Sequence, residues 1–432
     1  MHSAKQEHLA RSERVRRVRI ASEPSELTRL GMVYAYPIRL KIVTELYTRR
    51  MSPTQFFQEF GGTDTQNAVH WHFKQLVSHG WLQKVKTEKR RVGRGRPQDL
   101  YRTTELAILG PEAWDQLPLS IRSAFSERTL EQMKEQLDSA VAADTFDSRP
   151  DRHLSWVPVC LDPDSLGIQL KAMTSCFEAV LEEQADAKIR LGSSKEKPIL
   201  MTVVLAGFES PVPGVNDESP PWPVEDLVEQ CDTRFSVAPS LMRLAKVFVD
   251  PLNLKIITAL NLETMSPSQL AVRFQSPSLF AIDRRCKLLT ELGWIIKVGE
   301  KTGGGRRGGT ENFYRATRPA VFDREHWNGL SAVAKRGASA TTIQQFWEKV
   351  AEALSAGTFD SRTDRHLTWC PLLLDEQGWN QVIGLLEGYF AALMVVSRKK
   401  SARLGPRTSM GTFFLAGFES PQLPSAEQLA VF

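Results

Sequence analysis

Two short runs of this 432-residue chain hold the residue types of acid–base chemistry: Asp151-Arg152-His153 and, 213 positions on, Asp364-Arg365-His366. An arginine beside an aspartate and a titratable imidazole could grip an anionic effector or move a proton. The same triad also serves as a salt bridge and cap where a strand begins. That structural role is the one the sequence favours for Arg152, His153, Arg365 and His366. Two other patterns fail on spacing. His70 and His72 diverge by about 200° around a helix and cannot share a metal. Gly303, Gly305 and Gly308 match the dinucleotide fingerprint formally, but they lie between two strand-like runs and no helix follows. The five cysteines are scattered, which fits free thiols in a reducing compartment rather than a disulfide scaffold or zinc cluster. No nucleophile–base spacing occurs, so no enzyme, cofactor or metal is expected.

Charge points to a different kind of partner. At 42% hydrophobic and 24% charged residues the composition is that of a globular chain, and the length suggests about two to four domains. Of the formal net charge of +5, residues 1–20 carry +4, residues 81–104 carry +6 and residues 294–318 carry +4, leaving −9 on the remainder. Positive charge concentrated in short segments of an otherwise acidic chain implies a polyanion. No run of about 18 apolar residues exists, so no membrane partner is expected. The Arg-rich N-terminus has no apolar core and is not read as a secretory signal. A cytoplasmic, nucleoid-associated location follows as the expectation.

The chain also repeats itself. Phe146-Asp147-Ser148-Arg149 returns as Phe359-Asp360-Ser361-Arg362, and Leu205–Pro211 returns as Leu415–Pro421. Gly80-Trp81 returns as Gly293-Trp294, and Tyr101-Arg102 as Tyr314-Arg315. The offset drifts only from 214 to 210, so a unit of two domains has been duplicated. The expected divisions are a basic arm (1–24), a first domain (25–104) with its extension (105–210), and a Pro-rich acidic linker (211–238). A second domain (239–317) and its extension (318–432) complete the chain.

Within the first copy, Ile38, Ile42, Val43 and Leu46 recur at helical spacing. Ser52-Pro53 opens a second helix as N-cap and first-turn proline. Thr63 to Gln66 has capping-box spacing for a third helix, buried through Val69, Phe73 and Leu76. Two strand-like runs follow, joined by the basic loop Lys89–Pro97. The second copy repeats this order. Taken together, Pro37-x-Arg39-Leu40-x-Ile42, Met51-Ser52-Pro53, Val69-x-x-His72-Phe73-Lys74-x-Leu76-x-x-x-Gly80-Trp81 and Tyr101-Arg102-x-Thr104 resemble the ArsR-like winged helix-turn-helix regulators of bacteria. The resemblance covers about 75 residues per copy. Each extension reads as helix, strand, long helix, strand, similar to a C-terminal extension found on some ArsR-like proteins. The expected fold is therefore α+β and helix-rich: two winged helix-turn-helix domains, each followed by an αβαβ extension, arranged as a pseudo-dimer.

That resemblance implies double-stranded DNA as partner and transcription regulation as function, with one chain mimicking a dimer or pairing further as a homodimer. A recognition helix presents outward side chains near its start to base edges. In copy one these are Thr65, Gln66, Asn67, His70 and Lys74. The loop arginines Arg91, Arg94 and Arg96, in an Arg-Gly-Arg-Pro context, suit phosphates or a narrow minor groove. In copy two the candidates are Ser278, Arg284 and Lys287 with Arg306 and Arg307, while Leu279, Phe280 and Asp283 stand where copy one has Gln66, Asn67 and His70. The family's metal-sensing cysteines have no counterpart in Pro53–Phe60. The alternative is an effector-binding or protein-interaction module using the winged helices partly as scaffold, with a small-molecule effector as possible ligand.

Overall fold

The computed structural model describes residues 24–88, 97–108, 114–194, 196–211, 250–275, 278–302, 310–317, 327–401 and 409–420. It is an α+β protein. The first unit contains α1 (Pro24–Tyr34), α2 (Pro37–Glu45), α3 (Pro53–Phe60), α4 (Gln66–Ser78), β1 (Leu82–Glu88) and β2 (Gln98–Thr103). Its boundaries follow from local chemistry. Ser52 accepts from Gln55 N while the Gln55 side chain accepts from Ser52 N, a reciprocal cap that satisfies two otherwise orphaned donors. Gly80, at φ +74°, lets the chain leave α4 in the left-handed conformation that side-chain-bearing residues avoid. The cap of α4 is Thr65 rather than the Thr63–Gln66 pair expected: its hydroxyl accepts from Ala68 N at 3.2 Å. Val69, Phe73 and Leu76 then bury one face of α4 against Ile42, Val43 and Phe56. At about 1.5–3 kcal/mol per fully buried large side chain, this small core is what holds the helices at fixed angles.

The second unit comprises α7 (Pro251–Leu262), α8 (Pro267–Arg273), α9 (Leu279–Glu291), β5 (Ile295–Thr302) and β6 (Thr310–Ala316). Ser266 and Gln269 form the same reciprocal cap. In both units the hairpin is tied back to the helices by paired backbone bonds, Met51 with Tyr101 and Met265 with Tyr314. Each first strand also carries a bulge at the matching place, between Lys84 and Lys86 and between Lys297 and Gly299. One ion pair is charge-reversed between the units. Arg49 bonds Glu59 at 2.7 Å in the first, and at the equivalent positions Glu263 pairs with Arg273 in the second.

Between and after these units lie α5 (Leu119–Ala142), β3 (His153–Leu161), α6 (Pro163–Ser193) and β4 (Ile199–Ser210). Their counterparts are α10 (Ala332–Ser355), β7 (His366–Leu374), α11 (Glu376–Ser401) and β8 (Ser409–Glu419). The four strands form one antiparallel sheet in the order β3-β8-β4-β7, so strands of the two halves alternate. Strands β3 and β4 of the first half and β7 and β8 of the second thus close a single sheet together. The repeated segments pair with each other, Leu205 opposite Leu415, which places a pseudo-two-fold axis at the centre of the sheet. The central strands β4 and β8 are buried on both faces, hence their near-continuous apolar runs. α6 and α11 cover one face through Leu170, Met173, Phe177, Trp379 and Leu386. α5 and α10 cover the other through Met133, Leu137, Phe346 and Val350. Helix α2 of the first unit packs at edge strand β7 and α7 of the second at edge strand β3, so the units sit at opposite edges of the sheet.

Two apolar positions in step with the buried Leu137 and Val350 turn outward. Val141 and Leu354 are exposed, and Ala140 and Ala353, one residue earlier, are buried in their place. By length and composition α11 is long and apolar enough to cross a membrane, but its Trp379, Val382, Ile383, Leu386 and Leu393 are buried in the core beside the sheet.

Candidate nucleic-acid interface and the clasp between halves

The start of α4 is the best-formed polar surface of the first unit. Thr65, Gln66, Asn67 and Lys74 are exposed and His70 half-buried. The Thr65 hydroxyl is engaged as the helix cap. Gln66 Nε2 donates to Thr54 Oγ1 at 3.3 Å, and His70 Nε2 lies 3.5 Å from the same oxygen, so α3 and α4 share one polar cluster. Among the described residues Lys74 has no carboxylate partner. Arg91, Arg94 and Arg96 of the first hairpin, and Arg306 and Arg307 of the second, lie outside the described residues.

Beneath this surface Arg39 and His72, which the sequence offers only as separate motif positions, meet in one cluster with Tyr36 and Trp71. Arg39 of α2 is buried and donates from Nε to His72 Nδ1 at 3.0 Å and from its terminal nitrogen to the Met32 carbonyl at 2.8 Å. Its guanidinium also stacks 4.3 Å from the Tyr36 ring and 5.0 Å from Trp71. Burial, and then the Arg39 charge, push the His72 pKa down, which keeps the imidazole neutral and able to accept that bond. His72 therefore turns into the unit and His70 toward Thr54. Tyr36 and Trp71 remain 44% and 46% exposed beside the polar surface of α4. The signal for this cluster was the one-turn spacing of Tyr36 and Arg39 together with the Trp71-His72 pair.

The corresponding surface of α9 is built differently. Ser278 caps the helix by accepting from Ala281 N. Arg285 is held by Asp250 at 2.5 Å, and Lys287 by Asp283 at 2.7 Å, one turn away. Arg284 is exposed without a carboxylate partner among the described residues. Beside it, Phe280 is 76% and Val272 78% exposed, with Leu279 also outward.

The Asp-Arg-His runs sit elsewhere, at the junction of the two halves. Arg365 Nε bonds Asp360 at 2.7 Å, its terminal nitrogen donates to Ser126 Oγ at 2.6 Å, and that hydroxyl donates to Asp360 at 2.6 Å. The guanidinium stacks 3.9 Å over the Trp114 ring. Ser126 and Trp114 belong to the first half, Asp360 and Arg365 to the second. The mirror arrangement joins Asp147 and Arg152 of the first half to Ser339 and Trp327 of the second, with Arg152 2.6 Å from Asp147 and 2.7 Å from Ser339 Oγ. Each arginine is thus a closed clasp, but its carboxylate is Asp147 or Asp360 and not the adjacent Asp151 or Asp364 of the Asp-Arg-His run, which pair with Arg149 and Arg362. Desolvation pulls Arg365 down to about 10 against the opposing pull of Asp360.

The two histidines differ. His153 Nε2 lies 2.9 Å from Ser155 Oγ. His366 turns Nδ1 to Thr174 Oγ1 at 3.2 Å, and its buried Nε2 meets no hydrogen-bond partner among the described residues. Burial, helped by Arg365, pushes its pKa down to about 3. His366 also lines a cavity of about 90 Å³ between α2, residues 106–108, α5, α6 and β7. The four described cysteines, Cys160, Cys176, Cys286 and Cys370, are unpaired thiols whose pKa values burial raises, so none is a thiolate at neutral pH. Comparison of the sequence with protein-family models and with curated proteins finds no match.

Proposed function

We propose that this chain is a double-stranded DNA-binding transcription regulator of the nucleoid, in which two winged helix-turn-helix units do within one polypeptide what two subunits do in an ArsR-like homodimer. What supports the reading is a three-helix unit followed by two paired strands, present twice about a pseudo-two-fold axis, with an exposed polar start to α4 in the first copy and an Arg-rich segment between its two strands in the sequence. Asn67 and Gln66 are suited to adenine, Lys74 to guanine or phosphate, and the hairpin arginines to the flanking backbone. No catalysis, cofactor or metal enters this reading.

The test is mobility shift of the full chain with genomic fragments, followed by footprinting. One polypeptide should protect two successive major-groove faces, about one duplex turn apart. A footprint of one half-site per chain, unaffected by disabling α9, would refute the pseudo-dimer. A second reading has its own support. The paired Arg285 and Lys287 and the outward Val272, Leu279 and Phe280 give the second unit a surface suited to protein contact, with the winged helices partly scaffold. Retardation of no fragment at low salt would favour it.

A further inference from the structure

We propose that Trp71 reads the C5 methyl group of a thymine from a rigid aromatic plate on α4, adding an apolar contact to the polar reading of the first half-site. The inference rests on the double-stranded DNA reading above and deepens it. Trp71 follows Asn67 by four residues and precedes Lys74 by three, so the three side chains are neighbours on one helical face. All three are exposed. Between the polar Asn67 and Lys74, the indole is a large apolar surface about half open to solvent.

The ring is not a loose surface side chain. The Arg39 guanidinium lies 5.0 Å from its centroid, the His72 ring 4.9 Å, and the Tyr36 ring meets it edge-on at 6.1 Å. Arg39 is itself buried and bonded to His72 and the Met32 carbonyl, so the support is fixed from within the unit. A side chain held in place before contact gives up little rotamer freedom on binding. The second unit is built otherwise. Asp250, Asn253, Arg284 and Arg285 stand where the first has Tyr36, Arg39, Trp71 and His72, and Arg285 is tied to Asp250.

The chemistry of the groove decides what such a plate can meet. Base edges in the major groove present donors, acceptors and one apolar group, the thymine methyl. A phosphate is a poor partner for the ring, whose face carries partial negative charge. One helical turn, about 5.4 Å, separates Trp71 from Asn67, which is less than two base steps of about 3.4 Å. The thymine therefore stands within about two base pairs of the adenine suited to Asn67.

The experiment takes a duplex fragment retarded by the full chain and replaces its thymines singly by deoxyuridine. That change removes one methyl and leaves every hydrogen-bonding group in place. At one thymine under α4 it should weaken binding about fourfold, the burial of one methyl group. Trp71→Ala should bind the unmodified duplex less tightly and be indifferent to the replacement, while Trp71→Phe should restore part of the dependence. Absence of any deoxyuridine effect under α4 in the wild type would overturn the proposal, however the variants fold. An equal effect in Trp71→Ala would assign it to DNA shape or another side chain and overturn the role of Trp71. A fragment retarded without methyl dependence would remove this inference alone, whereas retardation of no fragment would remove the DNA reading with it.

Discussion

If the Asp360–Arg365 pair is a clasp between halves and not a ligand site, removing one member should cost stability in the unliganded protein. The side chains of Arg365 and Asp360 are 6% and 4% exposed, so Arg365→Met would leave the carboxylate buried with only the Ser126 hydroxyl for company. Breaking a buried pair in this way costs about 3–5 kcal/mol, most of it the uncompensated charge left behind. Replacing both members, as in Asp360→Leu with Arg365→Met, removes the stranded charge and should recover most of that loss. The surface pair Lys134–Asp138, 57% and 59% exposed, gives the contrast: Lys134→Ala should cost no more than about 0.5 kcal/mol. The mirror clasp, with Arg152 at 3% and Asp147 at 12%, predicts a loss similar to that at Arg365 for Arg152→Met. The assay is urea unfolding of the full chain by far-ultraviolet dichroism and tryptophan fluorescence, with coincident curves required before free energies are compared. Arg365→Met costing no more than Lys134→Ala would refute the argument. So would a double variant as unstable as the single one, since the loss would then lie in packing rather than in a stranded charge.

Three more outcomes are expected. Single base-pair substitutions under α4 should cost about 1–3 kcal/mol each and those under α9 much less, because Leu279 and Phe280 replace the polar readers and acids hold Arg285 and Lys287; equal costs in both half-sites count against this. Arg94→Ala with Arg96→Ala should flatten the dependence of log affinity on log salt by about 1–2 counterions, and an unchanged slope removes the hairpin loop from the interface. His366, held near 3 when folded and near 6.5 when unfolded, lets the unfolded chain take up a proton that the native state refuses. Its stabilising contribution is present above pH 6.5 and lost as pH falls from there toward 3, at about 1.4 kcal/mol per unit. His366→Gln should therefore weaken the acid dependence between pH 6 and 4, and parallel wild-type and variant curves would contradict the burial of a neutral imidazole.

What could be read from the sequence, and what could not, divides along the range of the interactions. The cap at Ser52, its repeat at Ser266 and the buried stripe Val69, Phe73 and Leu76 depend on neighbours within a few residues, and all stand where the pattern puts them. The hydroxyl of Thr65 and the outward turn of Val141 differ by one or two positions, a shift that a helical period does not resolve. Strand pairing is another matter, because alternation fixes which face a residue occupies and is silent on the partner. Both neighbours of β4 come from the other half. Yet the apolar run from Leu200 to Ala206, broken only by Thr202, already marks a strand buried on both faces, which a self-contained two-stranded extension could not provide. The clasp partners had a signal too, though not a local one. Trp114, Ser126, Asp147 and Arg152 each recur exactly 213 residues later as Trp327, Ser339, Asp360 and Arg365. Ordinary residues kept in step across a repeat are what a contact between the repeats requires. A single half would hold β4 with neither of its neighbours, Arg152 without Ser339 and Trp327, and α2 without the edge strand it packs on. The smallest unit able to close the sheet is consequently the pair, whereas each three-helix unit keeps a core of its own.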